Sequence, residues 1–152
     1  MSPADQESGY RAIERLIATY AELVDDGDFA AVGQLLGDAT FTGGAGAVSG
    51  ADAIEKMLRD NIIVYGDGTP RTKHVTTNLA VEVDEEAGTA VSRAYFTALQ
   101  ALPDLPLQPI VSGRYHDRFE RREGRWCFVE RRVLTDLVGD VSRHLRRSNA
   151  EQ

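Results

Sequence analysis

The sequence predicts an α+β domain in which helices come first and an antiparallel meander follows, so that the helices cover one face of a curved sheet. Two observations predict it. Apolar residues recur at helical spacing through the first 62 positions. After the loop GDGTPR, residues 66–71, four strand-like runs follow one another with short polar turns between them. From Tyr10 the apolar positions are Ile13, Leu16, Ile17, Tyr20, Leu23 and Val24, one stripe of an amphipathic helix. Gly27 supplies a stop, and Asp28 can cap a second, shorter helix through Phe29, Val32, Leu35 and Leu36 to Gly37. Thr40, Phe41 and Thr42 form a short strand, and GGAG after them reads as a turn. Ser49 or Gly50 opens a third helix with Ile54, Met57, Leu58, Asn61 and Ile62 on its inner face. The strand runs are 74–84, 89–101, 109–122 and 125–135, with hairpin turns at EEAG (85–88) and at Glu123-Gly124, and LPDLPLQ (102–108) as a longer connection. Residues 141–152 read as a polar C-terminal tail in which Val141 and Leu145 can dock a last helical turn.

Composition narrows the function. A chain of 152 residues, 42% hydrophobic and 27% charged, is expected to form one globular domain. Its net charge of −7 argues against a nucleic-acid partner, which needs a basic track along phosphates. The arginines of 118–132 are interleaved with Asp117, Glu120, Glu123 and Glu130, a mixture expected on solvated strand faces. No apolar stretch approaches the length of a membrane span and no signal peptide is read, so a cytoplasmic location is the default expectation. Cys127 is the only cysteine, which rules out an intrachain disulfide. None of the three histidines has metal-ligand spacing with another histidine or a cysteine, and no metal site is predicted.

Two segments carry the candidate chemistry. VDDGDF, residues 24–29, ends the first helix with clustered carboxylates, of which Asp25 is singled out. A carboxylate there faces the negative end of the helix dipole at a cost of roughly 0.3–1 kcal/mol, which suggests an exposed group or a used one. RTKHVTTN, residues 71–78, opens the first long strand and carries His74, with Thr76 and Asn78 on the same parity. A carboxylate held against an imidazole makes a general base effective near neutral pH. His116 has parity opposite to Tyr115, so it points outward if Tyr115 points in, and His144 falls in the polar tail.

With the closing hairpin YHDRFERREGRWCFVERR, residues 115–132, these segments resemble the nuclear transport factor 2-like superfamily, in particular its SnoaL-like and scytalone dehydratase-like members, over roughly residues 10–139. The resemblance implies a single domain over 1–140: a cone in which a strongly bent antiparallel sheet wraps around three N-terminal helices, with a mostly apolar pocket at its open end. It implies that Asp25 and His74 meet inside the cone as a dyad, the carboxylate orienting the imidazole. It also places Tyr20, Phe41, Tyr65, Gln100 and Tyr115 as pocket residues. The chain departs from scytalone dehydratase at three of that family's positions: Val24 replaces a tyrosine, Gln100 a second histidine, and Tyr115 an asparagine. Scytalone itself is therefore not the expected substrate.

The resulting expectation is a lyase or isomerase without a cofactor, acting by elimination or proton transfer on a small hydrophobic cyclic molecule. The alternative is a non-catalytic ligand-binding or assembly module of the same fold, like the small subunit of ring-hydroxylating dioxygenases. Apolar positions on alternate residues of the strands at 89–101 and 109–122 predict a homodimer through the sheet, or a homotrimer as in relatives of this fold.

Overall fold

The computed structural model describes residues 8–44 and 46–146. Helix α1, Gly9–Asp25, starts where the Ser8 hydroxyl accepts a hydrogen bond from the Arg11 N–H. Its buried stripe is Ile13, Ile17, Tyr20 and Val24, the face that the heptad-like spacing predicts. Burying each such side chain contributes about 1.5–3 kcal/mol, so this stripe fixes which way Asp25 points at the helix end. Helix α2, Phe29–Leu36, is capped by Asp28, whose Oδ1 accepts from Ala31 N at 3.1 Å. Two short strands, β1 (Thr40–Gly43) and β2 (Gly46–Ser49), precede α3 (Ala51–Asn61). The long strands are β3 (Thr72–Asp84), β4 (Thr89–Leu102), β5 (Leu105–Arg122) and β6 (Arg125–Val138).

All six strands form one curled, unclosed sheet in the order β2-β1-β6-β5-β4-β3. The helices lie inside the curl, and α1, α2 and α3 share one apolar core with Phe96, Tyr115, Phe119, Trp126 and Phe128 of the sheet. No helix among the described residues is long and apolar enough to cross a membrane.

Several expectations are corrected. The sheet is mixed: β1 runs parallel to β6, pairing Thr40, Phe41 and Thr42 with Glu130, Arg131 and Arg132. A strand the sequence does not predict, β2, pairs with β1, Thr40 with Ser49 and Phe41 with Val48. LPDLPLQ is no loop, because Leu102 pairs with Leu105 across a tight turn and β5 begins there. Two β-bulges change strand parity, since one extra residue moves every later side chain to the other face. At Asn78, with φ of 54°, the bulge in β3 turns Leu79, Val81 and Val83 toward the core and leaves Asn78 exposed, away from the face of His74. A second bulge opposite Arg118 and Phe119 shifts β6 between Phe128 and Glu130. That shift carries Arg131 to the inside, fully buried, opposite the equally sequestered Asp117. The basic run is thus not all a solvated face.

Of the expected tail, 141–146 packs on the body and 147–152 lie outside the described residues, as do residues 1–7 at the start of the domain. Val141 is buried, and Leu145 makes a β-bridge with Ile62 at the end of α3.

Candidate active site

Asp25 is the last residue of α1 and His74 the third of β3, and they meet at the open end of the sheet. The approach depends on Gly27. Its φ is +74°, and a Cβ there would stand 2.2 Å from the Gly68 carbonyl oxygen. Only glycine lets the chain leaving α1 lie this close to the loop that feeds β3. Within that loop, Asp67 accepts from the Thr69 N–H and hydroxyl and from Arg71, which fixes the entry to Thr72.

Every hydrogen bond recorded at the Asp25 carboxylate comes from the first residues of β3. Oδ1 accepts from the Thr72 hydroxyl at 2.8 Å and lies 2.6 Å from His74 Nδ1; Oδ2 accepts from the His74 backbone N–H at 2.7 Å. Burial pushes this carboxyl up, but the bonds from the His74 ring and backbone and from Thr72, with the attraction of the imidazole, outweigh it. The net result lies below the usual carboxylate range. These donors answer the unfavourable helix-end position anticipated from the sequence. An ionised carboxylate only accepts, so Nδ1 carries a proton, and in the neutral ring Nε2 is then the nitrogen with the lone pair.

His74 borders a cavity of about 190 Å³ inside the curl. Its wall is mostly apolar, with Val24, Val48, Leu58, Phe96 and Val133 among its members. The polar groups on it are few: Tyr20, Asn61, His74, Tyr115, Thr135 and His144. Among the described residues no group of three or more His, Cys, Asp or Glu is arranged to hold a metal ion.

Of the expected pocket residues, Tyr20, Phe41 and Tyr115 line the cavity. The Tyr20 and Tyr115 rings meet edge to face at 6.1 Å, and Phe96 stacks on Tyr115 at 4.6 Å. Burial raises both phenols above their ordinary range, against the pull of Arg131, so both hydroxyls stay protonated donors. Gln100 and Tyr65 do not line the cavity, which corrects their expected placement. The Gln100 amide donates to the Pro70 and Arg143 carbonyls at 3.1 Å each, and the Tyr65 hydroxyl donates to the Arg143 carbonyl. Both side chains are spent on holding the segment after β6.

Two features escape the sequence. One is His144, 6% exposed, whose ring stands 6.3 Å from that of His74. Burial, with a smaller push from His74, lowers its imidazole to about 4, so it is neutral at physiological pH. The other is Arg131, whose guanidinium carbon lies 3.5 Å from the Tyr115 ring centre and 4.2 Å from that of Tyr20. Its Nε is 3.2 Å from Asp117 Oδ1. His116 lies apart from the cavity, in an open hollow with Arg93, Arg118 and Arg132.

Residues 8–132 match the SnoaL-like domain family. The chain belongs to that family. Its fold is the nuclear transport factor 2-like, or cystatin-like, one. A cystatin-like protein of unknown function from Nostoc punctiforme superposes with a TM-score of 0.72 at 16% identity, over 90% of this chain and 98% of that one. A candidate scytalone dehydratase from Novosphingobium aromaticivorans gives 0.67 at 24% identity, over 86% of each chain. The β subunit of a candidate aromatic-ring-hydroxylating dioxygenase from the same organism gives 0.67 at 15% identity, over 84% of this chain and 89% of that one. At these identities the likeness to solved structures concerns the fold. No curated protein matches this SnoaL-like chain.

Proposed function

We propose that the protein is a small-molecule lyase or isomerase that works without an organic cofactor, with His74 as the general base and Asp25 as its orienting partner. The observation that carries this reading is the 2.6 Å contact between Asp25 Oδ1 and His74 Nδ1 on the wall of an apolar cavity. In the proposed step His74 Nε2 removes a proton from a carbon next to a carbonyl. The C–H electron pair forms an enolate, and Asp25 stabilises the imidazolium that results. In elimination the electron pair then forms a double bond as a β-hydroxyl leaves, taking the proton as water. In isomerisation the imidazolium returns the same proton to another carbon. A positioned base of this kind contributes about 10²–10⁴ in rate. Tyr20 and Tyr115 are protonated phenols on the same wall and suit the developing oxyanion.

Cavity size limits the substrate. An engineered apolar cavity of about 150 Å³ accommodates benzene, whereas pockets for drug-sized ligands run from about 300 Å³. About 190 Å³ suits one substituted ring or a compact pair, not a four-ring skeleton.

The test is solvent exchange. Small cyclic β-hydroxy ketones are incubated with the protein in D₂O, and deuterium incorporation next to the carbonyl and loss of water are followed. Exchange that disappears in His74→Ala supports the base. Exchange that is equal in wild type and His74→Ala contradicts it.

The assembly reading has one observation in its favour. Val75, Val91, Tyr95 and Leu137 are 41–69% exposed on the outer sheet face, which the helices do not cover. We propose that this face joins copies of the chain into a homodimer, with a trimer as the alternative, and that the cavity works within that assembly. A monomer by light scattering at micromolar concentration contradicts it.

A further inference from the structure

His144 enters the cavity by a device that the dyad does not require. The chain leaves β6 at Val138, turns back beneath Ile110 through the bond from Gly139 N to the Ile110 carbonyl, and lays Val141 into the core. From there it is tied at every step. The Gln100 amide and the Tyr65 hydroxyl donate to the Arg143 carbonyl, and the Arg143 guanidinium pairs with Asp104. Ile63 N donates to the His144 carbonyl at 2.8 Å, and Arg146 N to the Asn61 carbonyl at 2.9 Å. The ring so delivered is 94% buried, since its exposure is 6%. Its Nδ1 is sealed off and has no hydrogen-bond partner, which leaves Nε2 as the ring nitrogen open to a molecule in the cavity. A buried polar atom left unpaired costs about 1–3 kcal/mol, and an apolar ring would fill the same place without that cost. The imidazole is also neutral, so it offers one donor and one acceptor and does not repel His74 when that ring takes a proton.

We propose that His144 is a second ligand-binding imidazole of the cavity: it hydrogen-bonds a hydroxyl oxygen on the ring of the bound molecule, on the wall it shares with His74. This deepens the reading above and rests on the same cavity being the site. The two imidazoles then divide the task. His74 faces the carbon that loses a proton, and His144 holds the substituent that sets which carbon that is. The ligand class becomes a compact ring bearing a hydroxyl, a phenol or a cyclic hydroxy ketone.

The test uses p-cresol and toluene, which differ in the hydroxyl, as probes on the whole protein. Wild type should bind p-cresol roughly tenfold more tightly than toluene, the worth of one buried hydrogen bond. In His144→Phe that ratio should fall to near one, and in His74→Phe it should persist. The ring nitrogens of His144 should move on adding p-cresol and not toluene, with His116 outside the cavity as the unmoved reference. This second measurement needs no substitution and stands even if His144→Phe fails to fold. A preference kept in His144→Phe, no preference in wild type, or bound p-cresol that leaves the His144 ring unmoved overturns the proposal. A preference lost in His74→Phe alone sinks His144 and spares the dyad; a preference lost in His144→Phe with no solvent exchange in wild type does the reverse.

Discussion

Asp25–His74 and Asp117–Arg131 both set a buried carboxylate against a basic side chain inside the same curled sheet, and both lie near Tyr20 and Tyr115. Their surroundings make them opposites. Asp25 accepts hydrogen bonds from the His74 backbone N–H and from the Thr72 hydroxyl, and its Oδ1 lies 2.6 Å from the His74 ring. Asp117 sits opposite a permanently charged guanidinium with 0% exposure, whose Nε lies 3.2 Å from its Oδ1, and it accepts from the Ser92 hydroxyl at 3.5 Å. Burial pushes the Asp117 carboxyl up to about 6 against the pull of Arg131, whereas the Asp25 carboxyl ends below its ordinary range. The difference follows depth and the number of donors. Asp25 is less deeply buried and accepts three hydrogen bonds from β3, which outweigh its desolvation. The desolvation of the almost wholly buried Asp117 outweighs the pull of Arg131 and the Ser92 hydroxyl. On the proposed reading, one pair moves a proton. The other holds a fixed charge between two tyrosine rings and is expected to cost stability.

The largest effect that separates the pairs is on turnover. His74→Ala should lower proton exchange by about 10²–10⁴-fold and leave the thermal midpoint nearly unchanged, because it removes little apolar burial. Asp25→Asn should lose less, and the double change little more than His74→Ala, since base and partner act as one unit. Parallel exchange rates and melting curves check this. The second effect is on stability. Arg131→Met should destabilise by about 3–5 kcal/mol by stranding Asp117, and adding Asp117→Leu should recover most of that or exceed wild type. Urea unfolding of the single and double variants reads both, and equal stability of all three would erase the contrast.

A smaller effect is the pH dependence of stability, about 3 kcal/mol for Asp117. The folded value of Asp25 lies below 3.8, so its contribution is present above pH 3.8 and lost as pH falls further. The folded value of Asp117 is about 6 against an ordinary 3.8, so its contribution is full below pH 3.8 and lost as pH rises through about 6. Asp25→Asn should therefore flatten the acid limb, and Asp117→Asn the decline between these two values. Urea midpoints from well below pH 3.8 to above pH 6 show whether the slopes are opposite. Gly27→Ala should cost at least about 1–3 kcal/mol from a side chain forced to positive φ, before the clash with the Gly68 carbonyl is counted. Its Cβ would meet the Gly68 carbonyl, so exchange activity should fall with it as Asp25 moves off β3.

The contrast also explains what was legible in the sequence. The stripe from Ile13 to Val24 points one face of α1 inward and puts Asp25 at the helix end, but spacing does not show its contact with His74, which only the family resemblance implies. The long strands and their turns follow from alternation and turn residues. Arg131 was invisible because parity read from Trp126 and Phe128 puts it outside, and only the bulge after Phe128 turns it in. The parallel pairing of β1 with β6 is a contact between segments some 90 residues apart that carries no local signature. His144 was hidden by its polar neighbours: composition reads 141–152 as a tail, whereas two apolar anchors, Val141 and Leu145, suffice to bury the ring between them. Gln100 and Tyr65 lie on the right elements, but they satisfy backbone carbonyls and leave the cavity to other side chains.

The central claim is that Asp25 fixes His74 with its proton on Nδ1 and a bare Nε2 toward the cavity. Nitrogen-15 spectra of the histidine rings at neutral pH measure this without a substrate, and His116, outside the cavity, serves as the reference. The account predicts His74 in the Nδ1–H tautomer in wild type and a return to the mixed tautomers of an ordinary histidine in Asp25→Ala. A His74 ring protonated on Nε2, or one whose spectrum is the same in wild type and Asp25→Ala, contradicts it.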